Sequence, residues 1–258
     1  MLELNRIHCG DNCDLLGKMP RECVDLVVTS PPYDDLRTYG GHSWDFFGVA
    51  WHLKRVLKPG GVIVWVVGDA TKDGSETGSS MEQALHFKTL GLNLHDTMIY
   101  RKLNPGGARG SPLGYWQVFE YMIVVSKGKP KTFNPLEDRA NASAGLSSRA
   151  GGRNADGSMK DARLIENKEL GRRFNIWDYA TSDREGGEHP APFPFDLARD
   201  HIASWSNPGD LVLDPFSGSG TTAKAAKTLG RQFIGLEVNP EYCRIAEQRI
   251  AQEVLELV

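Results

Sequence analysis

Leu211-Val212-Leu213-Asp214-Pro215-Phe216-Ser217-Gly218-Ser219-Gly220-Thr221-Thr222 is the stretch that decides the fold. A short apolar run leads without interruption into a glycine-rich turn, and the turn opens a helical pattern over Thr221–Leu229. A strand, a tight turn and a helix start in that order aim backbone N–H groups at a ligand at the carboxyl edge of a sheet. Glycine is needed in such a turn because a Cβ would hold the ligand away. Gly218-x-Gly220-x-x-Ala223 fits the dinucleotide-binding spacing, and Glu237 ends the next strand candidate, Gln232–Glu237, where a carboxylate can meet ribose hydroxyls. No lysine follows Gly220, which excludes a Walker A phosphate loop. Asp214, immediately before the glycines, favours a ligand with a positively charged amino acid moiety over a pyrophosphate. A purely structural turn and an NAD-dependent enzyme remain alternatives on this segment alone.

Working outward, Val24–Thr29 (VDLVVT) and Gly61–Val67 (GVIVWVV) read as buried strands. Trp44–Leu57 and Met81–Leu90 read as helices, and Leu92–Tyr100 is strand-like. Lys58-Pro59-Gly60-Gly61 is a strong breaker between the first helix and the second strand. Phe195–Trp205 and Pro240–Val258 are helical patterns. Strands alternating with helices imply an α/β fold with a mostly parallel sheet covered on both faces.

The intervening texture differs. From about Asn104 to Gly171 the chain is rich in Gly, Ser, Asn and Arg, with one strand candidate at Phe119–Val125. Between Arg101 and Asn175 there are 14 Lys and Arg against 7 Asp and Glu, leaving 16 against 26 elsewhere in a chain of net charge −3. A basic segment in an otherwise acidic protein suggests a polyanion contact, with a solvated loop as the alternative. Cys9, Cys13, Cys23 and Cys243 have neither disulfide-framework nor metal spacing, so reduced thiols in a cytoplasmic protein and no metal are expected. The first residues show no secretory leader, and no apolar run approaches the length of a membrane span.

One further motif closes the Val24–Thr29 strand: Ser30-Pro31-Pro32-Tyr33. On its own it reads as a turn. Together with Asp214–Thr222 and Gly235-Leu236-Glu237-Val238-Asn239-Pro240-Glu241-Tyr242, the Thr29–Tyr33 segment closely resembles the motifs of S-adenosylmethionine-dependent DNA amino-methyltransferases. His189-Pro190-Ala191-Pro192-Phe193-Pro194 resembles a third segment of that family, one that helps close the cofactor pocket. The resemblance covers nearly all of the chain except about residues 104–114 and 133–173. The motif order, catalytic first and cofactor last, matches the β class, a circular permutation of the usual methyltransferase order. The resemblance implies a Rossmann-like methyltransferase fold, seven strands with one reversed. It divides the chain into a catalytic half (1–103), a target-recognition insert (104–175) and a cofactor-binding half (176–258).

It also implies roles. S-adenosyl-L-methionine would be held by Asp11, Thr29, Phe193, Asp214, Pro215, Phe216, Ser217, Gly218, Gly220, Thr221, Thr222 and Glu237. Asp11 accepts from the adenine amino group in this reading; the competing reading makes it the N-cap of a helix over Asn12–Met19. Ser30 and the Pro31 carbonyl would accept hydrogen bonds from the exocyclic amine of a base. Pro31 and Pro32 stiffen the loop, and Tyr33 stacks on the base once it leaves the duplex. Serine at position 30 favours cytosine-N4 methylation, with adenine-N6 as the alternative; methylation of RNA or a protein amide is more remote. Double-stranded DNA is the expected partner, met by Arg37, Arg109, Arg149, Arg153, Arg163, Arg172 and Arg173. Asp34–Ser43 reads as a lid or as a plain connection. An insert this short reads few base pairs alone, which makes a homodimer a candidate assembly. A cognate restriction endonuclease is a candidate partner.

Overall fold

The computed structural model describes residues 1–33, 44–103, 114–161, 163–181 and 194–251. It divides into two compact units: residues 1–134 with 175–258, and Pro135–Phe174. The larger unit holds strands β1 (Arg6–Cys9), β2 (Val24–Thr29), β3 (Leu57–Val67), a small ribbon of β4 (Thr71–Lys72) and β5 (Ser75–Glu76), β6 (Asn93–Lys102) and β7 (Phe119–Ser126). In the smaller unit lie β8 (Arg139–Ala140), β9 (Ser147–Ala150), β10 (Arg163–Glu166) and β11 (Leu170–Gly171). The larger unit resumes with β12 (Ile176–Tyr179), β13 (Leu211–Asp214) and β14 (Gln232–Glu237). Its helices are α1 (Asn12–Gly17), α2 (Phe46–Val56), α3 (Ser79–Thr89), α4 (Phe195–Trp205), α5 (Thr221–Thr228) and α6 (Pro240–Ala251).

The main sheet has eight strands in the order β1-β14-β13-β2-β3-β7-β6-β12. Only β7 is antiparallel to its neighbours. The expected seven-stranded sheet with one reversed strand is therefore present with an eighth strand added. β12 runs parallel to β6 over Ile176↔Ile99 to Tyr179↔Lys102 and satisfies backbone groups that β6 would otherwise expose at an edge. The Lys58–Gly61 breaker does not delay β3, which begins at Leu57. Gly60 donates its N–H to the Lys127 carbonyl (2.7 Å) and Lys127 donates to Gly61 (3.0 Å), so a ladder with the chain leaving β7 overrides the local turn preference.

The sheet is apolar on both faces, as a mostly parallel sheet must be. Every residue from Val62 to Val67 is buried, so alternation sends Ile63, Trp65 and Val67 to one side and Val62, Val64 and Val66 to the other. The first set joins a core with Leu15 and Leu16 of α1, Val49 and Leu53 of α2, and Ala84 and Phe87 of α3. On the other side α5 packs against α4 and α6, and its Ala223, Ala225 and Ala226 are fully buried. Small side chains there bring the helix close to the sheet.

The second compact unit begins later than the Gly-, Ser-, Asn- and Arg-rich texture that starts near Asn104, because Phe119–Ser126 forms a central strand of the main sheet. Within that unit β9 pairs with β10 and β8 with β11, both antiparallel. Its Arg139 guanidinium stacks on Phe174, 4.4 Å from the ring centroid. Among the described residues no helix is long and apolar enough to cross a membrane.

Candidate active site

Both motifs end neighbouring strands. β2 pairs with β13 in parallel through Leu26↔Val212 and Val27↔Leu213, so Thr29 and Asp214 emerge at the same edge. Their side chains meet there: the Thr29 hydroxyl donates to Asp214 Oδ1 at 2.6 Å with both residues buried. Asp214 also accepts from the Phe216 N–H (3.0 Å), which folds the Pro215–Gly220 turn back over the strand end. Thr222 donates to the Val28 carbonyl (3.3 Å) from the first turn of α5. Burial raises the Asp214 carboxyl from its ordinary range to about 6; hydrogen bonds from Thr29, Phe216 and Thr222 oppose the rise, and the Glu237 charge adds to it.

The turn itself requires glycine. Gly218 and Gly220 have φ of 50° and 82°, in the left-handed region. A Cβ on Gly220 would stand 2.9 Å from that of Ala246 in α6, so side-chain size and backbone conformation exclude other residues together. One strand further, Glu237 ends β14. Its two carboxylate oxygens accept from the N–H groups of Gly218 and Asn239, both at 2.8 Å. At the sheet edge β1 aligns Cys9 with Glu237, and Gly10 donates its N–H to the Glu237 carbonyl (2.8 Å). Asp11 follows, exposed, with Oδ1 accepting from the Asp14 N–H at 3.0 Å. Asp11 is therefore the N-cap of α1. Asn12 reaches the Pro215 carbonyl at 3.4 Å, joining this segment to the glycine turn.

On the catalytic side Pro31 is buried, and Ser30, Pro32 and Tyr33 are half-buried. Ser30 Oγ and the Tyr33 hydroxyl lie 2.8 Å apart, and Tyr33 donates to Glu120 Oε2, also at 2.8 Å. Glu120, on β7, forms an ion pair with Lys102 of β6 at 2.5 Å. Trp44 meets Phe216 edge-on at 4.8 Å and belongs to an aromatic cluster with Phe46, Trp65 and Phe87. Sequence reading assigned no role to Glu120, Lys102 or Trp44. Glu120 carried a signal, being the charged residue in the otherwise apolar run Phe119–Val125. The contacts of Lys102 depend on strand register and those of Trp44 on how the chain before α2 packs on the sheet, and neither had one.

The arrangement unites Asp11, Thr29, Ser30, Pro31, Pro32, Tyr33, Asp214, Pro215, Phe216, Ser217, Gly218, Gly220, Thr221, Thr222 and Glu237 at one sheet edge. Phe193, with the whole His189–Phe193 segment, and Arg37, with the Asp34–Ser43 loop, lie outside the described residues, as does Arg109. In the smaller unit, Arg149 aligns with Leu164 and Arg163 with Ala150 across the β9–β10 ribbon. Arg153 and Arg172 are exposed, and Arg153 donates to the Gly157 carbonyl (3.3 Å). The Arg173 guanidinium is engaged by Asp138, whose carboxyl is lowered chiefly by that hydrogen bond.

This edge combines a glycine turn, a carboxylate on the next strand and a proline-stiffened polar loop on the strand beside it, in a chain whose sequence places it among the DNA methylases. The family model so described matches residues 24–248, and the chain belongs to that family. It is 52% identical over 244 residues to the orphan methyltransferase M.BamHII of Bacillus amyloliquefaciens, covering 90% of each chain. It is 29% identical over 268 residues to the type II methyltransferase M.BglII of Bacillus subtilis, covering 97% of this chain and 70% of that one. Among solved structures, TTHA0409 of Thermus thermophilus, described as a DNA modification methylase and solved with S-adenosyl-L-methionine, superposes with a TM-score of 0.64. The two are 28% identical, with 97% of this chain and 96% of that chain covered. The PvuII DNA methyltransferase, cytosine-N4-specific, shares the fold at a TM-score of 0.68 and 21% identity, covering 96% and 87%.

Proposed function

We propose that this DNA methyltransferase transfers a methyl group from S-adenosyl-L-methionine to the exocyclic N4 amine of a cytosine flipped out of double-stranded DNA. The observation that carries the reading is the 2.6 Å bond between Thr29 and Asp214, which ties the Ser30–Tyr33 loop to the glycine turn at one edge. The donor set suits this cofactor. Glu237 and Asp11 supply carboxylates for ribose hydroxyls and an adenine amine, the turn supplies backbone N–H groups, and Asp214 adds anionic character for a cationic ligand. Bound there, S-adenosylmethionine supplies an already electrophilic methyl group.

The remaining chemistry falls to the chain. An exocyclic amine is a weak nucleophile because its lone pair is delocalised into the ring. Ser30 Oγ and the Pro31 carbonyl accept from its two hydrogens, favour a pyramidal nitrogen and free the lone pair for attack. Pro31 and Pro32 fix where that carbonyl points. Tyr33 lies in the same loop as a face for the extruded base. Catalysis then rests on alignment and electrostatics. The motif order supports the permuted β class, and Ser30 supports cytosine. Arg37, Arg109, Arg149, Arg153, Arg163 and Arg172 form the DNA-contacting set under this reading, Arg173 being held by Asp138, with a second copy and a cognate endonuclease as candidate partners. Sequencing with modification detection on DNA from cells expressing the protein, followed by nucleoside analysis, tests the reading. N4-methylcytosine at a defined site is expected; N6-methyladenine would replace the base assignment, and unmodified DNA would overturn the proposal.

A further inference from the structure

Ser30 is an ambivalent choice for gripping an amine, because a hydroxyl can donate as readily as it accepts. A donating Ser30 would repel the amine hydrogens of cytosine and welcome the carbonyl of uracil or thymine at the same ring position. The structure holds a device that removes the ambivalence. Glu120, in its ion pair with Lys102, meets the Tyr33 hydroxyl as an acceptor. The single hydroxyl proton of Tyr33 is therefore given to Glu120 Oε2 (2.8 Å). Only a lone pair of Tyr33 then faces Ser30 Oγ, also at 2.8 Å, so the Ser30 proton goes to Tyr33. What Ser30 then has left to offer a base is a lone pair.

We infer that the Lys102–Glu120 pair sets the hydrogen-bond direction of the Ser30–Tyr33 chain, making Ser30 an obligatory acceptor that selects an amino base over its carbonyl counterpart. The inference rests on the proposed amine methylation and assigns Glu120 and Lys102 as positioning residues, since both act through Tyr33. They come from β6 and β7, the reversed strand and one of its neighbours, so their meeting with the Ser30–Tyr33 loop is a product of topology. No bond other than hydrogen bonds is made or broken in this role.

The direction can be inverted on purpose. In Glu120→Gln the Lys102 ammonium draws the amide oxygen, leaving the amide N–H₂ facing Tyr33. Tyr33 then accepts, its proton turns to Ser30, and the Ser30 proton points at the base. The experiment uses the full chain on duplexes bearing the site mapped by modification sequencing, with cytosine or uracil at the target position. If the methylated base is adenine, adenine and hypoxanthine take their place. Glu120→Gln should lower the single-turnover methylation rate roughly 10- to 100-fold, the scale of one charge-assisted hydrogen bond. It should compress the cytosine-over-uracil binding ratio by about the same factor while S-adenosylmethionine affinity is unchanged. Lys102→Met/Glu120→Gln should recover much of the rate, because the amide is then free to turn its oxygen to Tyr33. A merely structural pair gives the opposite, a double variant no better than the single one. Wild-type rate and ratio in Glu120→Gln, or absence of recovery in the double variant, overturns the inference. Failure of the wild-type chain to methylate either base instead overturns the proposed function on which it rests.

Discussion

Replacing Thr29 with valine removes one hydroxyl from a buried carboxylate and changes almost nothing in volume, so the Thr29–Asp214 bond can be tested with little cavity cost. Its magnitude depends on pH in a direction the structure sets. Burial, the largest influence, raises Asp214 from 3.8 to about 6. The folded chain thus binds this proton more tightly than the unfolded chain, and the resulting stabilisation is complete below about pH 4. It is lost as the pH rises through about 6, a change of about 3 kcal/mol across that window. At pH 8 Asp214 is charged, and the 2.6 Å bond from Thr29 is charge-assisted, worth about 1.5–3 kcal/mol; at pH 5 the neutral acid makes it worth about 0.5–1.5 kcal/mol. Thr29→Val should therefore destabilise the fold by about 1 kcal/mol more at pH 8 than at pH 5, and its own Asp214 should titrate higher. Urea unfolding at the two pH values measures this, with Asp214→Asn, which carries no titratable group there, as the reference. An equal loss at both pH values, or a larger one at pH 5, would refute the reasoning.

Gly220→Ala meets two penalties at once: left-handed strain of about 1–2 kcal/mol and overpacking against Ala246 of about 1–3 kcal/mol. A fall in melting temperature of about 5–15 °C is expected, and a shift under about 2 °C in a thermal scan would remove Gly220 as an obligatory glycine. DNA binding should weaken steeply with salt, by roughly 10²-fold between 50 and 200 mM if about four phosphates are neutralised. Arg153→Ala and Arg172→Ala should each flatten that dependence by about one unit of slope, whereas Arg173→Ala, whose guanidinium is held by Asp138, should act on stability instead. A wild-type affinity indifferent to salt contradicts the assignment of this basic segment to DNA.

The elements of the core could be read in advance because apolar runs and breakers are local. Phe195–Trp205 and Gln232–Glu237 have the bounds that their residue pattern indicates. So does the glycine turn, whose spacing reflects what a backbone must do to approach a ligand. Local pattern misleads where distant hydrogen bonds compete with it. Lys58–Gly61 has the composition of a terminator, yet it joins β3 through a ladder with the end of β7, and Ile176–Tyr179, in a segment with no marked signal, becomes an edge strand because β6 offers it unpaired backbone.

The site divides in the same way. Residue types and spacing singled out the glycine turn and Glu237, each carrying its chemistry within a few consecutive residues, whereas the roles proposed for the proline loop and Asp11 came from a resemblance to a methyltransferase family. The contacts between these pieces are long-range: Thr29 with Asp214 across 185 positions, and Tyr33 with Glu120 across 87. Such contacts depend on which strands lie side by side and in what register, and that is settled by the packing of the whole sheet. The chain's own text therefore declares the chemistry each segment can offer; only the folded sheet decides which of those segments face one another.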